Sequence, residues 1–184
     1  MPKGKYQVTD QNGIYFLTIS VVDWIDILTR VQNKDLIVES LSFCIEKKGL
    51  EIFAWVLMSN HLHFLARVNT PHEMSVFLRD FKKFTSRKMI DIMPIIGESR
   101  REWLKKAFRE HGENDARIKF HKIWTEKNHA VLISPHDHKA MNRIINYIHL
   151  NPVKQKIVQE AWHYIHSSAI NYQGGKGLLP VTLI

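Results

Sequence analysis

The stretch 50–68, LEIFAWVLMSNHLHFLARV, decides the fold. Two runs rich in β-branched and aromatic residues, 50–58 and 61–68, are separated only by Ser59 and Asn60. A two-residue break between strands marks a tight hairpin, and Asn60 is expected to take the left-handed backbone of its turn. Side chains alternate along a strand. Leu62, Phe64, Ala66 and Val68 therefore form an unbroken apolar row, and His61, His63, Leu65 and Arg67 share the opposite face. An apolar row is what helices cover, so both imidazoles fall on the open side of the sheet.

Outward from the hairpin, 14–22 (IYFLTISVV) reads as a buried strand and 23–33 as a loop or short helix. Asp35 is the expected N-cap of a helix with Leu36, Ile37, Leu41, Cys44 and Ile45 on its apolar face, ending near Gly49. A long helix is expected over 71–92, with Met74, Phe77, Leu78, Phe81 and Phe84 or Thr85 as its stripe. A shorter helix over 99–111, a polar loop at 112–116 and a strand-like stretch within 118–133 follow. Ser134-Pro135 opens a last helix running from about 136 towards Asn151-Pro152. This order predicts an α+β fold: a ferredoxin-like split β-α-β sheet with helices on one face and one added C-terminal helix. The chain reads as a single domain over 1–184 with its core at about 13–172. The tail 173–184 is expected to move or to dock on a partner.

Composition sets the partner class. Of 184 residues, 45% are hydrophobic and 24% charged, which excludes a wholly disordered chain. Twenty-six Lys and Arg against 18 Asp and Glu leave a net +8 and a pI near 9.6, a surplus that favours a polyanion, either nucleic acid or an anionic membrane surface. No apolar run has the length of a membrane span. The polar first ten residues carry no secretory signal, and the one cysteine, Cys44, forms no disulfide within the chain; together these predict a cytoplasmic protein. Cys44 lies on an apolar helical face and reads as core. No nucleophile elbow, phosphate-binding lysine loop or zinc-protease helix occurs.

Three features can carry chemistry. His61 and His63 are either a chelating pair for one divalent ion or two surface histidines among the 11 present. Tyr147 and Asn151 lie one helical turn apart, on the shoulder of the stripe Met141, Ile144, Ile145 and Ile148. There Tyr147 serves packing and Asn151 the helix end, unless both face a site. Residues 79–110 hold ten Lys or Arg against five Asp or Glu. Lys82, Lys83, Arg87 and Lys88 fall on the long helix, and Arg100, Arg101, Lys105, Lys106 and Arg109 on the next. That is a solvated face or a phosphate-binding one. Phe84 and Trp103, interleaved at helical spacing, read as core more readily than as base-stacking platforms.

Taken together, two motifs resemble a known family. Residues 55–65, WVLMSNHLHFL, resemble the His-hydrophobic-His (HUH) motif of the single-tyrosine transposases, and 147–153, YIHLNPV, resemble their nucleophile helix. The Tyr-x-x-x-Asn-Pro form points to the REP-associated tyrosine transposase branch. The resemblance spans about 13–172 and departs at Ser59, where the family often has proline. It implies that His61 and His63 hold Mg²⁺ or Mn²⁺ with Asn151 as third ligand. It further implies that Tyr147 attacks single-stranded DNA beside a hairpin, forming a 5′-phosphotyrosine link that a 3′-hydroxyl reverses. Relatives of this kind are often homodimers. Ligation needs neutral imidazoles, so activity is expected to fall as pH drops through about 6.5. Two other functions stay open: a non-catalytic nucleic-acid-binding module that stacks bases on sheet aromatics, and a replication initiator or relaxase-like nickase. The first needs neither motif; the second normally carries a further domain for which 184 residues leave no room.

Overall fold

The computed structural model describes residues 7–113 and 121–184. Of the loop expected at 112–116, residues 112 and 113 instead close the helix before it, and 114–116 lie outside the described residues, as does the start of the strand-like stretch at 118–120. Four strands, β1 (Ile14–Ser20), β2 (Leu50–Leu57), β3 (His61–Val68) and β4 (Val131–Ile133), form one antiparallel sheet in the order β2-β3-β1-β4. Helix α1 (Val31–Lys47) joins β1 to β2, while α2 (Met74–Ile92) and α3 (Arg101–Glu113) lie between β3 and β4. With β3 inserted between β1 and β2, this is the ferredoxin-like plan read from the sequence. After β4 the chain adds α4 (His138–His149), α5 (Asn151–Lys154) and α6 (Ala169–Tyr172).

Alternation sorts the strands between two cores. Leu17 and Ile19 of β1, the Leu62–Phe64–Ala66–Val68 row, and Ile52, Trp55 and Leu57 of β2 are buried with Ile37 and Leu41 of α1, Phe77, Leu78 and Phe81 of α2, and Leu104 and Phe108 of α3. A bulge between Ile52 and Ala54 turns both Phe53 and Ala54 to the other face of β2. That face is not free. Met141, Ile145 and Ile148 of α4 are buried there with Phe53, Val56, Met58 and Leu65.

The structure departs locally from the sequence reading. Helix α1 begins at Val31 rather than after Asp35, and Arg30 at its N-cap makes no side-chain cap bond. Ile27 and Leu28 are buried in the turn before it, and Asn33 Nδ2 donates to the Ile27 carbonyl at 2.8 Å. Tertiary packing thus extends the helix where no capping residue marks its start. Asn60 is absent from the described non-glycine residues with left-handed φ; its side chain is used instead, as shown below. Pro152 does not end the last helix but sits in the first turn of α5, where its missing N–H costs nothing. Asp137 caps α4, accepting from Ala140 N–H at 2.9 Å. The tail docks on the chain itself: Leu179 is buried in the first core and Thr182 N–H donates to the Ile52 carbonyl at 2.9 Å. With the 166–168 segment, whose Ser168 N–H bonds the Trp55 carbonyl and whose His166 carbonyl accepts from Leu57, it covers the outer edge of β2.

Gly49 is the hinge between α1 and β2. Its φ is +64°, and a Cβ there would meet the Asn69 carbonyl at 2.9 Å. Gly49→Ala is expected to cost more than about 1 kcal/mol, read as a lower urea midpoint at unchanged slope; an unchanged midpoint contradicts this account of the hinge.

Candidate active site

His61 and His63 leave β3 on one face, opposite Ser20 and Thr18 of β1. Both are buried, with ring centroids 4.6 Å apart. The Asn60 side chain fixes the first ring. Its Nδ2 donates to the Trp24 carbonyl at 3.0 Å, so its Oδ1 is turned to His61 Nδ1 at 2.7 Å. An amide oxygen only accepts, so the proton sits on Nδ1 and the Nε2 lone pair is bare. His63 Nδ1 pairs with the Thr18 hydroxyl at 2.8 Å; with the hydroxyl accepting, its Nε2 is bare as well. Burial pushes the His61 imidazole down to about 4. Burial, and then the neighbouring His61, pushes His63 down to about 3. The pair is neutral far below the ordinary histidine range, so a loss of ligation near pH 6.5 is not what this site would show.

The apolar stripe of α4 places Tyr147 on the helix shoulder above this pair. Its ring centroid lies 5.4 Å from that of His63 and 5.8 Å from that of Phe16, and Phe16 stacks on His63 at 5.6 Å. Tyr147 is 43% exposed. Among the described tyrosines the other three hydroxyls are occupied: Tyr15 accepts from Thr9 and Asp10 N–H, Tyr164 donates to the Leu57 carbonyl, and Tyr172 to the Phe53 carbonyl. Tyr147 alone among them makes no such backbone bond. The end of α4 is pinned by His149, buried and held down at about 4 by burial, whose Nε2 meets Ser168 Oγ on the β2 edge at 2.8 Å. Asn151 does not cap the helix; it opens α5, buried, and its Oδ1 accepts a long bond of 3.4 Å from Gln155.

Among the described residues no three His, Cys, Asp or Glu side chains are grouped to hold a metal. With Nδ1 of each ring protonated, the two Nε2 atoms are nonetheless a donor pair for one divalent ion whose remaining positions are taken by oxygens. Mg²⁺ and Mn²⁺ accept that arrangement, from an amide, water or a phosphate.

The basic helices lie elsewhere. Helices α2 and α3 bury their apolar faces in the first core, across the sheet from the histidines. Lys82 donates to the Thr125 and Glu126 carbonyls, and burial, with Lys122 nearby, pushes its ammonium down to about 8. Arg100 is committed to Glu98 and Asp26. Lys83, Arg87, Lys88, Arg101 and Lys106 are exposed, and Lys105 is half-buried. Phe84 and Trp103 are not core but half-exposed. Cys44 is core, its thiol pushed up to about 11 by burial.

Sequence reasoning missed five side chains around the site. Phe16 and Thr18 wall His63, and the polar alternation of Thr18 and Ser20 inside an apolar strand was their available signal. Lys154 lies over the Tyr147 ring, Nζ 5.3 Å from its centroid. Arg143 is exposed one turn before Tyr147, so cations at −4 and +7 continue its stripe. Trp24 carried no periodicity to reveal it.

Residues 25–110 match the model of the IS200-like transposase family. The matched span includes His61 and His63 and ends before Tyr147. A solved REP-associated tyrosine transposase bound to a REP hairpin has the same fold, with TM-score 0.65 over 99% of this chain and 92% of that one at 17% identity. A putative transposase from Deinococcus radiodurans R1 aligns at TM-score 0.44 and 18% identity, over 81% of this chain and 98% of its own. No curated protein matches the chain. The family match thus covers the first of the two motifs read from the sequence, and the likeness to the REP-associated enzyme is one of fold. No described helix is long and apolar enough to cross a membrane.

The buried histidines set the acid response. His61, His63, His149 and His166 are all held at about 3 to 4, chiefly by burial. An unfolded histidine titrates near 6.5, so below that pH the unfolded chain binds protons the folded one refuses. Their contribution is complete above about pH 6.5 and lost as pH falls towards 4. The thermal midpoint should be flat between pH 7 and 8 and fall steadily below 6.5, with calorimetry near pH 5 showing net proton uptake on unfolding. Replacing His61 and His63 by Gln should roughly halve that uptake; an unaltered uptake contradicts the assignment.

Proposed function

Starting from a chain whose residues 25–110 match the IS200-like transposases, we propose that it cuts and rejoins single-stranded DNA beside a hairpin, as a transposase acting through Tyr147. One observation carries the reading: the tyrosine whose hydroxyl is not tied to backbone sits against the neutral His61–His63 pair of the same chain. The hairpin bound by the structural relative makes hairpin DNA the substrate class to test.

In this scheme the Tyr147 oxygen attacks the scissile phosphorus as its proton leaves. The phosphorus–O3′ bond breaks, and the departing oxygen is protonated to a free 3′-hydroxyl. The DNA 5′-phosphate is left as a phosphotyrosine diester, and attack by a 3′-hydroxyl reverses the step without an external energy source. The Lys154 ammonium over the ring favours negative charge on the phenolic oxygen and, with Arg143, draws the phosphate backbone along α4. His61 and His63 would hold Mg²⁺ or Mn²⁺, with Asn151 as an oxygen donor. Such an ion, when bound, neutralises charge on the scissile phosphate. The exposed cations of α2 and α3 are left to contact the hairpin arm rather than the cleaved strand. A non-catalytic module would need free aromatics on its sheet, and Phe16 is instead closed between His63 and Tyr147.

The test is incubation of the protein with hairpin-bearing single strands and Mn²⁺, followed by denaturing gels. The native protein should give a covalent protein–DNA band. Tyr147→Phe should abolish it while leaving binding nearly unchanged, since the ring contacts persist. His61→Ala or His63→Ala should remove cleavage, and Asn151→Ala should reduce it less, because water replaces one oxygen ligand. A band that survives Tyr147→Phe, or cleavage by the double histidine variant in chelator, rejects the reading.

Salt dependence tests the hairpin path separately. Replacing Lys83, Arg87 and Lys88 together should weaken binding and flatten the log–log salt slope by roughly 0.7 to 0.9 per phosphate contact removed. An unchanged slope places the DNA on the α4 stripe alone.

A further inference from the structure

The rim of the site carries an indole that the proposed chemistry does not use. Trp24 is 60% exposed, and its ring centroid is 5.5 Å from that of His61, the two planes nearly perpendicular. The main chain is strained to put it there. Asp23 and Trp24 have φ of 50° and 55°, two successive residues in the left-handed region where a Cβ is disfavoured.

The surroundings enforce this geometry from three sides. The Trp24 carbonyl accepts from Asn60 Nδ2 at 3.0 Å. The Asp23 carboxylate accepts from His111 Nε2–H of α3 at 2.7 Å, and the Asp26 carboxylate from Nη1 of Arg100, just before α3, also at 2.7 Å. Asn60 is the shared part, because the same amide orients His61 and ties down Trp24. A large apolar ring held in water by a strained backbone contributes little to the core, and backbone strain that neighbours over-determine is typical of ligand-holding segments. Phe84 and Trp103 are half-exposed as well, but neither has a ring contact with His61, His63 or Tyr147.

We propose that Trp24 is a stacking subsite that seats a nucleobase flanking the scissile phosphate, and so registers single-stranded DNA against His61, His63 and Tyr147. The inference rests on the strand-cleaving reading. A nucleobase is the occupant that fits, because the indole borders a site for phosphate chemistry, the flanking Lys154 and Arg143 favour a polyanionic strand, and every base offers a π-face to an exposed aromatic. Stacking of this kind is tolerant of sequence, so Trp24 sets register and affinity rather than base identity. Clamping of its loop by His111 and Arg100 also gives α3 a role beyond charge: it holds the platform.

The experiment uses the full chain and a hairpin oligonucleotide with single-stranded flanks, in which single abasic sites are scanned through the nucleotides around the cleavage point. Binding is titrated on the Tyr147→Phe background, and cleavage kinetics are measured on the native background. Trp24→Ala should weaken binding and raise KM on the order of tenfold, with kcat changed much less, and Trp24→Phe should recover most of the loss. At one abasic position the native protein should lose the same factor, and Trp24→Ala should lose nothing more. Tryptophan fluorescence should be quenched by the oligonucleotide in the native chain and markedly less in Trp24→Phe, a readout independent of the alanine variant. Additive losses at every position, or native affinity in Trp24→Ala with its fold intact by circular dichroism, overturn the proposal. If the native protein neither forms a covalent band nor cuts the strand, the strand-cleaving reading falls instead; if cleavage behaves as proposed and Trp24 is silent, only the subsite falls.

Discussion

The burial of Met141, Ile145 and Ile148 on the second face of the sheet is the constraint on which the site depends. Each such side chain contributes about 1.5 to 3 kcal/mol when taken out of water, whereas an aromatic contact adds about 0.5 to 1.5 kcal/mol. Core packing therefore fixes where α4 lies, and the contacts of Tyr147 with Phe16 and His63 only trim its position. Since the stripe occupies one side of the helix, Tyr147 on its shoulder must look along the sheet towards β1 and the histidines. His149, hydrogen-bonded to Ser168 on the edge of β2, stops the helix from sliding along its axis.

Desolvation connects this packing to chemistry. The helix and the walls formed by Phe16, Thr18 and Trp24 take the two imidazoles out of water and so keep them neutral. Neutrality alone does not direct a lone pair; the second nitrogen of each ring must be engaged. Asn60 does this for His61, while the Thr18 hydroxyl engages Nδ1 of His63 and leaves Nε2 bare when it accepts. The two-residue turn between β2 and β3 thus has a purpose beyond reversing the chain, because its second residue supplies the amide that sets a tautomer and anchors the neighbouring loop.

Charge is arranged in two separate places. The exposed cations of α2 and α3 lie across the sheet from the histidines, and Arg143 and Lys154 flank Tyr147. A sheet with helices on both faces keeps these two groups apart, which fits the proposed substrate with its duplex arm and single strand. Two of the expected phosphate contacts are occupied within the fold, Lys82 by carbonyls and Arg100 by Glu98 and Asp26, so counting basic residues along a helix overstates the surface they offer.

Much of this was legible in the residues themselves. Period-two alternation through 61–68 put His61 and His63 on one face, and the 3.6-residue stripe of 141–148 put Tyr147 on its shoulder. Both follow from backbone geometry that any chain must obey, and the order of strands and helices along the chain pointed to the ferredoxin-like plan. The start of α1, the use of Asn60 and the docking of the tail were not legible, because each is settled by partners distant in sequence: Ile27 and Leu28 beneath the helix, Trp24 beside the turn, and Ile52 beneath Thr182. The same holds for what makes the site chemically specific. Sequence determined that two imidazoles and a phenol exist on suitable faces. Only the tertiary structure decided that the phenol lies beside the imidazoles, that both rings are held neutral, that the Asn60 amide sets the tautomer of His61, and that Lys154 and Trp24 stand at the rim. Burial and distance are properties of elements packed together, and no local pattern encodes them.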